Sequence, residues 1–237
     1  MVNITQIYIS DNNQEPSLTL KTNIQIIKDL FANNKYNLYN NDSIEEFLLE
    51  NYDDTIIKTY KKLKPYSYKC DFARYCILYK RGGWYFDLGL KVIKRVKLKD
   101  TTDLVIFRDL NKYTSTSWSC APGIIYARRE QPILGKAIEL IVENTKNNFY
   151  GLSPLCPTGP SLWGRAIASI GIDKNVVIGD FIELTPSFEK KNKAMVLPDG
   201  TIFAFNKDAP GGDLESLGCK GVNNYNDFWF NKNIYGE

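Results

Sequence analysis

The stretch from Tyr66 to Asp87 constrains the fold of this chain more than any other. Tyr68, Phe72, Tyr75, Cys76 and Tyr79 recur at helical intervals, which predicts a helix over 66–80 with an aromatic face turned inward. Gly82-Gly83 stops that helix, because glycine accepts the left-handed backbone that ends helical turns. Trp84-Tyr85-Phe86-Asp87 follows at once as a short strand.

The rest of the chain interleaves the same two elements. Apolar spacing predicts a strand over 4–9, a helix over 22–31 and a strand over 36–39. Ser43-Ile44-Glu45-Glu46 has the form of a capping box opening a helix through Leu49, and 53–63 continues as a helix ended by Pro65. Strands are predicted over 90–96, 104–107 and 123–126, helices over 132–143 and 161–170, and short strands over 176–178, 181–184, 194–197 and 201–204. No repeat or Gly/Ser linker divides the 237 residues, so the expectation is one α/β domain with a mixed central sheet flanked by helices. A chain of this length buries enough core to need neither disulfides nor structural metal.

Composition narrows the chemistry. The sequence has no histidine, which removes Ser-His-Asp and Cys-His nucleophile pairs and histidine zinc sites. Catalysis must run on carboxylates, amines, hydroxyls, amides or thiols. The 30 basic and 27 acidic residues nearly balance, which disfavours nucleic acid as a partner. The five cysteines are scattered without a Cys-x-x-Cys pair, as expected of reduced, apolar-like thiols. The start lacks a basic leader, and prolines interrupt the uncharged stretch 147–164, so no signal peptide or transmembrane segment is expected. The expected location is cytoplasmic, with lysine clusters over 58–64 and 91–99 that are solvated faces or can meet an anionic membrane surface.

Asp71 and Arg74 stand three apart on one helix face, where they can pair or together grip a polyol. By themselves two such residues make a surface salt bridge. The following strand changes that reading: alternation sends Tyr85 and Asp87 to one side and Trp84 and Phe86 to the other. Tyr85 and Asp87 then project toward Asp71 and Arg74 while the other two pack the core.

The same stretch resembles the sugar-binding region of glycosyltransferase family 32, shared more loosely with the large clostridial toxin glucosyltransferases. Its pattern is Asp-x-x-Arg-Tyr-x-x-Leu-Tyr-x-x-Gly-Gly-x-Tyr-x-Asp-x-Asp. Asp71, Arg74, Tyr75, Leu78, Tyr79, Gly82, Gly83, Tyr85 and Asp87 supply it here, and Gly89 stands where the last aspartate belongs. The first strand with Gln6, Tyr8 and Ser10, the segment 37–47 and Thr158-Gly159-Pro160 also fit, so the resemblance covers about residues 1–165.

The resemblance implies a GT-A fold, a nucleoside-diphosphate sugar donor, a divalent cation (Mn2+ or Mg2+), and hexose transfer with retention to a glycan, lipid-linked saccharide or glycoprotein. It implies a donor half over 1–110, an acceptor half over 111–205 and a tail over 206–237 that closes on the donor site. Asp71 and Arg74 would hold the sugar hydroxyls, Tyr85 would pack in the pocket, Asp87 would meet ribose, sugar or metal, and Tyr8 would lie against the base. Asp87 and Arg74 are the expected catalytic residues, with Gln6, Tyr8 and Ser10 completing the substrate set. Because Gly89 brings no carboxylate, Asn224 and Asp227 of the tail are expected as further metal ligands beside Asp87. Gly89 also leaves open a binding protein of this fold without turnover. A glycoside hydrolase using Asp71 and Asp87 is a third reading. Trp118, Trp163 and Trp229 could stack on sugars but more often pack cores. Asp103 and Asp109 could serve an acceptor, and Arg108, Arg128, Arg129 and Arg165 a diphosphate.

Overall fold

A computed structural model describes residues 1–110, 116–184, 193–206 and 211–237. The chain opens with strand β1 (Asn3–Ile7), helix α1 (Leu18–Leu30) and strand β2 (Lys35–Tyr39). Helix α1 begins before residue 22 because Ser17 accepts a hydrogen bond from Leu20 N; the exposed Leu18 breaks the apolar spacing and hides this start. Helix α2 (Asn41–Asn51) has a capping box, but one turn earlier than the sequence suggests. Asn40 is the cap, its side chain accepting from Ser43 N while Asn40 N donates to the Ser43 hydroxyl. Helix α3 (Asp54–Lys62) starts on the Asp53 carboxylate, and helix α4 (Tyr66–Arg81) runs into strand β3 (Gly83–Phe86).

The glycine pair between α4 and β3 does two things. Gly82 and Gly83 have φ of +61° and +102°, and a Cβ on Gly83 would lie 2.2 Å from the Asn3 carbonyl oxygen. Only glycine makes the turn and lets β3 lie against β1.

Strand β4 is Lys91–Val92, far shorter than the 90–96 expected, followed by β5 (Leu104–Arg108), the longer β6 (Cys120–Ala127), α5 (Pro132–Lys146) and α6 (Pro160–Ile170). The two strands expected over 176–184 are one, β7 (Val176–Glu183). Strands β8 (Lys193–Val196) and β9 (Ile202–Phe205) precede the short helix α7 (Tyr225–Phe230). Of the expected acceptor half and tail, residues 111–115, 185–192 and 207–210 lie outside the described residues.

The strands form one mixed sheet in the order β2-β1-β3-β6-β5-β7-β8-β9-β4. β1 is parallel to β2 and β3, β5 is parallel to β7, and the remaining pairs are antiparallel. The sheet curls. Phe203 of β9 lies 5.4 Å from the Trp84 ring of β3, although five positions separate those strands in the order. Inside the curl Trp84, Phe86, Phe107, Met195 and Phe203 make one core; on the other face Tyr75, Tyr85, Ile125 and Trp163 belong to the core under α4, α5 and α6. The strand alternation expected at β3 thus holds.

Candidate active site

A cleft of about 290 Å³ opens where β1, β3 and β6 meet the amino-terminal half of α4. Asp71 and Arg74 point into it from α4, Tyr85 and Asp87 from β3 and the turn after it, and Tyr8 from beyond β1. The five positions are close because β3 is parallel to β1 and α4 returns across the sheet face between them.

Arg74 is the hub. Its Nη2 lies 2.9 Å from Asp71 Oδ1 and its Nη1 3.3 Å from Asp87 Oδ1. Nη1 also donates to the Pro122 carbonyl at 2.7 Å, Nε donates to the Cys70 carbonyl at 3.2 Å, and the guanidinium carbon sits 4.5 Å from the Tyr85 ring centre. A planar fork with this many aligned acceptors is what arginine supplies and lysine does not. The pair is no surface bridge: Arg74 is 4% exposed and Asp71 7%. The Thr158 hydroxyl donates to Asp71 Oδ2 at 2.8 Å, which ties α4 to the start of α6. Tyr85 donates to Asp87 Oδ1 at 2.6 Å. Gly123 makes room for that carboxylate, since a Cβ there would come within 3.0 Å of Asp87 Oδ2.

Burial sets the protonation of these groups. It pushes the Asp71 carboxyl up to about 6, against the opposing pull of Arg74 and the Thr158 hydrogen bond. Burial also opposes the Arg74 charge, but Asp87, Tyr85 and Asp71 outweigh it and keep the guanidinium protonated. The Cys70 thiol beside them is driven up to about 12 by burial, so it is no thiolate nucleophile.

The other sequence candidates divide. Tyr8 lines the cleft, its hydroxyl pushed up to about 12 by burial and by Cys219. Gln6 is wholly buried, accepting from the Tyr36 hydroxyl at 2.9 Å, and does not line the cleft. Ser10 donates to the Gln14 carbonyl at 3.0 Å and faces a neighbouring polar groove with Asp11, Asn12 and Asp42. Asn224 caps α7 by accepting from Asn226 N at 3.0 Å, and Asp227 is exposed in its first turn; neither lines the cleft, whereas their neighbours Asn223 and Tyr225 do.

Trp163 is fully buried against Tyr75, and Trp118 is exposed. Arg108 pairs with Asp180, and Arg128 with Asp103, away from the cleft. Asp109 does face it, at the end of β5, with burial raising its carboxyl. The sequence singles out neither Asn223 nor Tyr225. Tyr225 stacks on Tyr68 at 5.8 Å, a long-range pairing that no local pattern announces.

A divalent cation finds a poor set of ligands. Asp87 Oδ1 is already taken by Tyr85 and Arg74, Gly89 has no side chain, and the described residues hold no group of three or more His, Cys, Asp or Glu. The residues present do not fit a protein-built divalent site.

A curled mixed sheet with a carboxylate-lined cleft at the end of β3 is a GT-A-type α/β architecture. Residues 17–108 match the family model described as the glycosyltransferase sugar-binding region containing a DXD motif. An uncharacterized glycosyltransferase of Acanthamoeba polyphaga mimivirus is 32% identical over 130 residues, 55% of this chain and 51% of that protein. The chain therefore spans about half the length of the curated relative it matches. Among solved structures, the PaToxG glycosyltransferase superposes with a TM-score of 0.55 at 16% identity, over 71% of this chain and 69% of that one. A glycosyltransferase involved in glycosylation of the major capsid of PBCV-1 is more remote, at 8% identity over 75% of this chain and 81% of that one, with a TM-score of 0.39. DXD glycosyltransferases generally use divalent cations. No helix among the described residues is long and apolar enough to cross a membrane.

Proposed function

We propose that this chain transfers a hexose from a nucleoside-diphosphate sugar to a hydroxyl of a glycan or glycoconjugate, with retention of anomeric configuration. The observation that carries the reading is the buried Asp71–Arg74 pair joined to the half-exposed Asp87 on one side of a cleft of sugar size. The carboxylate oxygens of Asp71 and Asp87 accept hydrogen bonds from sugar hydroxyls, and Arg74 keeps both in place. Tyr8 lies against the base, and Tyr85 fixes the rotamer of Asp87. A donor half, an acceptor half and a closing tail are part of this proposal, which is supported by a cleft lined by Asp71 and Asp87, by Phe181 and Met195, and by Tyr225.

No dedicated nucleophile is assigned. The bond from the anomeric carbon to the diphosphate oxygen breaks as the acceptor oxygen bonds to that carbon on the same face, and the departing phosphate oxygen takes the acceptor proton. No step is routed through a metal ion.

The test is to incubate the protein with a panel of nucleoside-diphosphate hexoses and follow release of nucleoside diphosphate, with manganese and with chelator. One donor should be consumed, and Asp87→Ala should abolish its consumption while leaving the melting temperature within a few degrees. A panel in which no donor is consumed or raises the melting temperature would overturn the reading. A second reading, donor binding without turnover, rests on Gly89 and expects stabilisation without release. Gly89 is not among the glycines of positive φ, and Gly89→Asp puts a carboxylate back at that position of the pattern. If that substitution gives the binder manganese-dependent release, the second reading describes the parent chain.

A further inference from the structure

The loop after α5 and the end of α7 form an exposed aromatic knob. Leu152 is 87% exposed, Phe230 70% and Phe149 38%, and none of them supports a core beneath it. The knob is nonetheless rigidly built. Trp229 Nε1 donates to the Tyr150 carbonyl at 2.9 Å, the Tyr235 hydroxyl donates to the Phe149 carbonyl at 2.6 Å, and the Tyr150 and Tyr235 rings meet edge to face at 5.7 Å. Gly151, at φ +65°, folds the loop so tightly that a Cβ would lie 2.3 Å from that of Cys156. Leu152 is thereby held outward.

Three exposed lysines lie on the segments that build the knob or join it. Lys232 Nζ stands 4.6 Å from the ring centres of both Tyr150 and Trp229, Lys64 Nζ donates to Asn233 Oδ1 at 2.6 Å, and Lys146 ends α5. Carboxylates are present too: Glu143 and Asp227 stand three residues before Lys146 and Phe230, and the exposed Glu237 stands two residues after Tyr235. Leucine and phenylalanine tips, a collar of tyrosine and tryptophan in which Trp229 Nε1 and the Tyr235 hydroxyl are engaged, and nearby lysines match, from inside outward, the acyl boundary, the headgroup level and the anionic surface of a bilayer. A second copy of the chain fits less well, because a twofold contact through this face would set its lysines against one another.

We propose that this knob docks the chain peripherally on an anionic phospholipid bilayer. The cleft would then open close to the membrane, since Tyr225 at one end of α7 lines the cleft while Phe230 at the other lies in the knob, and the loop through Leu152 continues into Pro154 and Leu155 of the cleft wall. Docking stands independently of the transferase reading.

The experiment is co-sedimentation with phosphatidylcholine vesicles with and without phosphatidylserine, at low and high salt, following tryptophan emission. The wild-type chain should bind only the phosphatidylserine vesicles, with a blue-shifted emission, and release at high salt. The double variant Leu152→Glu, Phe230→Glu changes two exposed side chains, so it should melt as the wild type does and bind at least roughly tenfold more weakly. Failure to bind phosphatidylserine vesicles, undiminished binding by the variant, or a solution dimer that the variant dissociates would each overturn the proposal. None of these outcomes bears on donor release measured without vesicles, so the two readings fail separately.

Discussion

The cleft has two walls of different construction. The wall made by α4 and β3 carries the paired Asp71, Arg74 and Asp87, and its Asp71, Arg74 and Tyr85 are each 7% exposed or less. The facing wall is made by Phe181 of β7, Met195 of β8, Asn206, Gly211-Gly212, Asn223 and Tyr225, and apart from Met195 and Gly211 these residues are half-buried. Helix α7, which carries part of it, has no buried residue. A charge in a low-dielectric site must be held by fixed partners, so the first wall has to be part of the core. A wall that only shapes the cleft is under no such demand and can be made of loops.

The largest expected effect comes from removing the hub of the first wall. Arg74→Ala leaves Asp71 and Asp87 without their buried counter-charge, and loss of one partner of such a pair costs about 3–5 kcal/mol. Urea unfolding should show that loss, and donor consumption should vanish. Arg74→Lys should recover little of it, because an ammonium cannot reach Asp71, Asp87 and the Pro122 carbonyl from one plane. A loss below about 1 kcal/mol, as for an exposed ion pair, would erase the distinction between the walls.

The two walls also differ in how plainly the sequence shows them. The first is legible because its determinants are local: aromatic spacing through α4, the glycine stop and the two-residue alternation of β3 bring Asp71, Arg74, Tyr85 and Asp87 together from 17 consecutive positions, 71 to 87. The second depends on contacts between distant residues. β7 reads as two strands because Gly179 looks like a break, yet it lies inside a continuous strand where a Cβ would come within 2.5 Å of the Phe107 ring and the Val196 carbonyl oxygen. The place of Asn223 depends likewise on Tyr66 N, which donates to its side-chain oxygen at 2.9 Å across more than 150 residues of chain. Gln6 marks the limit from the other side. Its place on β1 suggests a ligand contact, but its carboxamide serves Tyr36, because a polar group under the sheet must find a partner inside the protein.

Asp71 offers the next effect in size and sharpens the contrast in electrostatic terms. Its carboxyl is raised from 3.8 to about 6 by burial, with Arg74 and Thr158 pulling the other way. The folded chain therefore keeps a proton that the unfolded chain releases. This contribution to stability is fully present below pH of about 4 and is lost as pH rises through about 6, a total of about 3 kcal/mol. Asp71→Asn, neutral at every pH, should flatten that part of the stability profile measured by urea unfolding from pH 4 to 7. A profile that keeps its full slope in the variant would place the titration elsewhere.

The smallest effect belongs to the second wall. Gly212 has φ of +81°, and a Cβ there would meet two Tyr225 ring carbons at 2.7 and 2.8 Å and Asn224 Oδ1 at 2.9 Å. Gly212→Ala must therefore strain the loop or push Tyr225 off Tyr68, at about 1–2 kcal/mol. Because α7 only packs against the edge of the large core, through the partly buried Tyr225, Phe228 and Trp229, the substitution should lower the melting temperature by only about 2–4 °C per kcal/mol and appear mainly as a weaker apparent affinity for the donor, with turnover at saturation largely kept. Arg74→Ala should do the reverse, abolishing turnover and stability together. If Gly212→Ala instead unfolds the chain as readily as Arg74→Ala, the loop wall is as much a part of the cooperative core as α4 and β3, and half-burial at its surface would not have meant independence beneath it.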